Sequence, residues 1–276
     1  LLAVSEFAED AVLVMLTSGG TIKRTRLSAF ANIRSNGLIA ISLEEGDALT
    51  WVRLALPGDS VLIGSLKGMT IHFRLNDAEL RPLGRTARGV RAMNLRGGDQ
   101  LVSMDVLPAE LADRVANAAP LPDDDGDGEL AGELADEVGP SEGPWVLVAS
   151  ASGLGKRVPV DQFRLQKRAG MGLRAIKFRR DGDVLVGLKV LGAGEELLLV
   201  SERGVIVRTK ADAIPQQSRA ATGVRLQKLD SGDRLSEVVL VPPAAEEEDG
   251  PDAPAAEPSI AEASPASGTP ADVIPE

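Results

Sequence analysis

One pattern recurs four times along the 276 residues, and it dictates short antiparallel hairpins. Each copy carries a first-hairpin glycine (Gly20, Gly68, Gly153, Gly204), a mid-loop glycine (Gly37, Gly89, Gly172, Gly223) and a Gly-Asp pair (Gly46-Asp47, Gly98-Asp99, Gly182-Asp183, Gly232-Asp233). Tight hairpins need positive φ, which a β-carbon penalises, and an Asp beside the glycine can hydrogen-bond its own backbone. Successive first glycines lie 48, 85 and 51 residues apart. The period is therefore about 50, and the long gap is one ordinary repeat plus an insertion.

In the first copy, four β-branched or alternating apolar runs occupy 12–18, 21–27, 38–43 and 49–56, separated by those turns. A unit of four strands cannot bury both of its faces alone, so copies must pack on one another. The expectation is an all-β, propeller-like β-pinwheel of four four-stranded repeats, with blades at 1–56, 57–111, 143–194 and 195–245. A β-sandwich of sixteen strands gives no reason for the same turns and charges at a fixed period.

Charge separates these blades from two other segments. Residues 112–142 hold one Arg against ten acids, residues 246–276 hold nine acids and no base, and the remainder carries +7 within a chain of net charge -11. Both acidic segments are rich in Ala, Pro, Gly and Asp and poor in large apolar residues, which predicts a disordered linker and a disordered tail. The body is basic.

Its bases recur at equivalent places. After the first glycine come Lys23, Arg24 and Arg26, then His72 and Arg74, Lys156 and Arg157, and Arg208 and Lys210. Around the mid-repeat loop stand Arg34, then Arg85 and Arg88, Lys167 and Arg168, and Arg219; beyond its glycine stand Arg91, Arg174 and Arg225. Equivalent positions in stacked repeats share one edge, so these cations are expected to form a basic stripe along a rim. Such a stripe suits duplex DNA, because phosphate contacts neutralise charge without reading sequence. Gly170 and Gly172, within QKRAGMG at 166–172, are expected to let phosphates approach the main chain. No helical pattern offers a recognition helix, and 3% aromatic content with no Tyr leaves few platforms for single-stranded bases.

Other chemistries find little support. No Cys and a single His exclude thiolate zinc sites and histidine clusters, no cofactor is expected, and a reducing cytoplasm fits. GLGKR at 153–157 lacks the glycine spacing and the Ser or Thr of a P-loop, and the near-calcium loop at 123–134 places Glu133 one position early. No apolar stretch reaches the roughly 20 residues of a membrane helix. The opening LLAVSEFAED has neither an initiator Met nor a basic stretch before an apolar core, so the chain is expected to start within a longer protein.

The basic strand after each hairpin glycine, the R-x₂-G-[VL]-R segment and the following Gly-Asp hairpin, repeated at this period before an acidic tail, resemble the C-terminal DNA-wrapping domain of the DNA gyrase A family. That family has a six-bladed β-pinwheel whose rim bends DNA, and a seven-residue box, Gln-Arg-Arg-Gly-Gly-Lys-Gly, in its first blade. QKRAGMG matches the box at Gln166, Arg168, Gly170 and Gly172, with Lys167 a conservative change and Ala169 and Met171 departures, but in the third repeat of this chain. The resemblance implies that two blades and the catalytic portion lie upstream. It also implies that the partners are double-stranded DNA, the remainder of the gyrase A polypeptide and the gyrase B polypeptide. Type II topoisomerases cut DNA with a Tyr, which this chain lacks, so it is expected not to act as an enzyme by itself. A topoisomerase IV-like domain or a protein-interaction propeller are the alternatives.

Overall fold

The expected hairpins form where the turn glycines stand: Gly20, Gly68, Gly153 and Gly204 all take positive φ, between 79° and 88°. The computed structural model describes residues 2–4, 6–33, 35–118 and 141–241. In chain order its strands are β1 (Val12–Thr17), β2 (Thr21–Arg26), β3 (Leu49–Ala55), β4 (Ser60–Ser65), β5 (Met69–Arg74), β6 (Val90–Arg91), β7 (Leu101–Leu107), β8 (Trp145–Ser150), β9 (Leu154–Pro159), β10 (Leu173–Arg174), β11 (Leu185–Leu191), β12 (Glu196–Ser201), β13 (Ile206–Lys210), β14 (Val224–Arg225) and β15 (Leu235–Val241). Two short α-helices, α1 (Asp77–Leu80) and α2 (Ala109–Asn117), complete the regular structure of the described residues with a few 3-10 turns.

These strands make four antiparallel sheets, in the orders β3-β1-β2-β6, β10-β5-β4-β7, β11-β8-β9-β14 and β13-β12-β15. The Gly-Asp turns tie each sheet's two hairpins together. Asp47 accepts from Gly19 N at 2.7 Å and from its own neighbour Ala48 N at 2.8 Å. Asp99 does the same with Lys67 N and Gln100 N, both at 2.9 Å, and Asp183 with Ser152 N and Val184 N. The paired landmarks in the sequence are thus two ends of one hydrogen-bonded clamp.

Sequence repeat and sheet do not coincide. The third run of each later repeat crosses to the preceding sheet: β6 pairs with β2, β10 with β5 and β14 with β9. The expectation of four strands drawn from one repeat is corrected accordingly. Residues 38–43, expected to form a strand, are irregular, because the described residues hold no preceding sheet to receive them. The last sheet has three strands for the complementary reason, since no later repeat among the described residues supplies its fourth.

The sheets pack face to face in chain order. Val14, Leu16 and Ile22 meet Val61, Ile63, Ile71 and Phe73 in one core; Leu62 and Leu107 meet Val146, Val148 and Val158 in the next; Leu147 and Ala149 meet Leu197 and Leu199 in the third. Burial on both faces makes β4 and β8 buried at every position, and their runs read as continuous rather than alternating apolar sequence. β12 alternates buried and half-buried residues, since only one of its faces is covered. The long strands β3, β7, β11 and β15 lie against one another in succession at one edge of the stack, and the short exchanged strands with their loops line the opposite edge.

α2 departs from the expected linker at 112–142: its residues 112–117 are helical, carrying Arg114 onto Asp161 and Asp113 onto Arg74, each at 2.6 Å. The expected disorder of 119–140 and of the tail at 246–276 concerns positions outside the described residues.

Candidate nucleic-acid interface

Alignment on the hairpin glycines makes Arg24, His72, Arg157 and Arg208 equivalent, and the first three share one task. Arg24 donates to the carbonyls of Leu80 and Leu75, the latter at 2.5 Å, and pairs with Asp77. His72 donates through Nδ1 to Phe163 O at 2.7 Å and accepts from Ser60 Oγ at Nε2 at 2.8 Å. Arg157 donates through Nε to Ile214 O at 2.6 Å and stacks over the Trp145 ring at 4.3 Å. Leu80, Phe163 and Ile214 occupy matching positions in the following repeat. Arg24, His72 and Arg157 also accept there with their own carbonyls, from Leu83 N, Gln166 N and Gln217 N respectively. They staple one blade to the next. His72 is 1% exposed, and burial lowers its pKa to about 4, so the imidazole is neutral at pH 7. Arg208, with no following repeat among the described residues, turns to Glu196 at 2.6 Å and stays exposed.

Lys23 and Lys156 form a second equivalent pair, and both are wholly buried. The Lys23 ammonium donates to the carbonyls of Ala40 (2.6 Å), Gly84 (3.0 Å), Arg85 (2.5 Å) and Ala87 (3.0 Å). Lys156 donates to Ser218 O at 2.7 Å, Arg219 O at 2.5 Å and Ala221 O. Burial pulls both groups down, for Lys156 with the Arg219 charge adding to the effect, while the three carbonyls that converge on its Nζ favour the charged ammonium. In the other two repeats the same place holds Ile71 and Val207.

The mid-loops therefore rest on the preceding sheet, and their glycines allow it. A Cβ on Gly89 would stand 2.7 Å from Ile22 O, on Gly172 2.4 Å from Thr70 O, and on Gly223 2.6 Å from Gly155 O, three matching carbonyls. Gly172 serves contact between repeats rather than the approach of a phosphate. Gly170 is half-buried, and a Cβ there would stand 3.3 Å from Lys167 O. Ala169 holds positive φ, 62°, where the family box carries glycine. Arg168 ties this loop down, donating to Glu79 O and Arg91 O at 2.6 Å each, and Arg219 repeats the move onto Arg174 O at 2.6 Å.

The expected site residues thus divide into two sets. Lys23, Arg24, His72, Lys156 and Arg219 are buried, and Arg157 and Arg168 are largely turned inward, so these seven side chains hold repeats together. Arg26, Arg88, Arg91, Lys167, Arg208, Lys210 and Arg225 are exposed, while Arg74, Arg85 and Arg174 are half-buried; Arg91, Arg174 and Arg225 stand on the short exchanged strands, Arg85, Arg88 and Lys167 in the loops before them, and Arg26, Arg74, Arg208 and Lys210 on β2, β5 and β13. Arg34 lies outside the described residues. Arg74 and Lys167 border an open notch of about 400 Å³ between repeats 2 and 3, together with Arg164, whose equivalent in repeat 2 is Arg81. A larger opening of about 800 Å³ between the Gly-Asp turns of repeats 3 and 4 mixes Arg180, Arg225, Lys228 and Arg234 with Asp181, Asp183, Asp230 and Asp233, and presents no single sign of charge.

Four antiparallel sheets joined by exchanged strands define a pinwheel of the propeller class, and comparison with known proteins places it in a family. The profile described as "DNA gyrase C-terminal domain, beta-propeller" matches residues 11–55, 59–108, 144–191 and 195–242, and the chain belongs to that family. It is 54% identical over 250 residues to the DNA gyrase A protein of Synechocystis sp., covering 90% of this chain and 29% of the relative. It is 39% identical over 256 residues to the chloroplastic/mitochondrial DNA gyrase A protein of Arabidopsis thaliana, covering 90% and 25%. The chain thus spans less than a third of the length of these relatives. Among solved structures, the DNA gyrase A C-terminal domain superposes with a TM-score of 0.64 at 26% identity, covering 85% of this chain and 67% of that one. The C-terminal domain of DNA topoisomerase IV gives 0.68 at 20% identity, covering 86% and 64%, a likeness of fold alone.

Proposed function

We propose that this chain binds and wraps double-stranded DNA along its short-strand edge as the C-terminal part of a gyrase A polypeptide. It serves ATP-dependent negative supercoiling together with the rest of that polypeptide and with gyrase B, on the bacterial chromosome in the cytoplasm. The observation that carries this reading is the outer row of cations, Arg26, Arg91, Lys167, Lys210 and Arg225, exposed at equivalent edges of successive sheets while their neighbours are consumed within the fold. Duplex rather than single-stranded DNA fits because among the described residues Trp51 and all five Phe are buried or half-buried and Trp145 is 6% exposed, which leaves no stacking platform. Among the described residues no helix is long and apolar enough to cross a membrane.

The test is salt dependence. Replacing Arg91, Lys167, Lys210 and Arg225 together by Ala removes up to four phosphate contacts, so the slope of log affinity against log salt should fall by about 3 to 4. Fluorescence anisotropy with duplexes of two unrelated sequences measures it. An unchanged slope means that this edge is not where DNA lies.

A further inference from the structure

The buried lysines stand where the fold does not require them. Ile71 and Val207 fill the equivalent position in sheets that form equally well, so a blade needs only an apolar stem there. What Lys23 and Lys156 add is an ammonium whose protons converge on the carbonyls of an irregular loop from the next repeat. An ammonium is a donor-only group with three protons, and three loop carbonyls meet each of these two. Loops 84–89 and 218–223 are not otherwise joined to sheets 1 and 3 by ladder bonds; those begin only at β6 and β14. The same loops carry or immediately precede Arg85, Arg88 and Arg91 in one case and Arg225 in the other.

We propose that Lys23 and Lys156 are positioning residues for DNA wrapping: wholly buried and unable to touch a phosphate, they draw the carbonyls of loops 84–89 and 218–223 inward and so hold the cations of those loops in register on the edge. This rests on the reading of that edge as the DNA-binding surface. Between repeats 2 and 3, where Ile71 replaces the lysine, loop 167–172 depends on Arg168 and on its own backbone bonds, Ala169 N to Ala92 O at 2.9 Å and Asn94 N to Gly170 O at 2.8 Å. Without the ammonium, the carbonyls of Ser218, Arg219 and Ala221 lose their shared charged donor, Ser218 O and Ala221 O keep only the longer bonds from Ala221 N and Lys177 N, and the loop is left to the Arg219 ties.

Lys156→Met in the 276-residue chain tests the idea, read by hydrogen exchange at 216–223 and by Trp145 fluorescence, since the Trp145 Nε1 donates to Gln216 Oε1 at 2.9 Å. Exchange at those amides should rise and Trp145 emission should change, while β8 and β9 stay protected. On a duplex labelled at both ends, energy transfer from bending should fall, with the salt slope lowered by about 1. Lys156→Ala should behave alike, and n-propylammonium should restore loop protection where propan-1-ol does not. Unchanged exchange and bending in Lys156→Met, or equal rescue by the alcohol, overturns the proposal. So does failure of Lys156→Met to fold, because an apolar residue is native to this position in two repeats. Should the unaltered chain bind no duplex, the DNA reading fails, yet hydrogen exchange still decides whether the lysine holds the loop.

Discussion

Acid should loosen the joint between repeats 2 and 3 before the others. His72 is neutral in the folded chain with a pKa lowered to about 4 from 6.5, because the ring is buried between Ser60 and the Phe163 carbonyl and lies near the Arg74 charge. The unfolded chain binds a proton at His72 below pH 6.5, whereas the folded chain resists until about 4. Stability from this group is therefore complete above pH 6.5 and is lost as pH falls toward 4. At 1.36 kcal/mol per unit the loss is about 0.8 kcal/mol at pH 6, about 2 at pH 5, and approaches about 3.4 below pH 4. Urea unfolding of the parent and of His72→Gln, followed by tryptophan fluorescence at about pH 7, 6, 5 and 4.5, isolates the effect, since carboxylates titrate alike in both. The variant should be less stable at pH 7 and close the gap by about 2 kcal/mol on reaching pH 5. Two curves that stay parallel throughout would refute the buried neutral imidazole.

Three further outcomes follow from named residues. Ala169→Gly should stabilise the chain, because an L-residue in the left-handed region costs roughly 1–2 kcal/mol and the added unfolded-state freedom of glycine returns about half; a rise of about 1–4 °C in Tm measures it. Gly172→Ala should destabilise by about 2 kcal/mol or more, since φ is 82° and the new Cβ meets Thr70 O at 2.4 Å, and calorimetry should show a lower Tm than for Gly182→Ala, whose Cβ meets nothing within 4 Å. Deleting 246–276 removes nine acids from beside a body of +7, so DNA binding at low salt should tighten and bending should increase; unchanged affinity would make the tail a passive solubilising segment.

Much of the fold was legible because turns are local. A glycine at positive φ and an Asp that bonds its neighbour's amide declare themselves within a few residues, so the hairpins and their period could be read from Gly20, Gly68, Gly153, Gly204 and the four Gly-Asp pairs. Strand exchange was not legible, since Val90-Arg91 and Leu173-Arg174 look the same whichever sheet they join. The site divided for a similar reason. Lys23 and Arg26 are both cations on one strand, and only the carbonyls arriving from Gly84, Arg85 and Ala87 reveal that one faces protein and the other water. Recurrence of a base across repeats marked a shared geometry within this chain, but that geometry served the joints as often as the surface.

Because each mid-repeat run leaves its own repeat to finish the sheet before it, no contiguous segment of about one period contains a complete blade. A cut at any repeat boundary exposes two unlike ends: upstream, a run such as 38–43 that joins no sheet among the described residues, and downstream, a sheet edge such as β13 that receives no further strand among them. The stack thus has a direction, as a row of interlocking bricks does, with tongue at one end and groove at the other. Dissection into single repeats should yield sticky, incomplete pieces, whereas two adjacent repeats are the smallest length that can close even one four-stranded sheet.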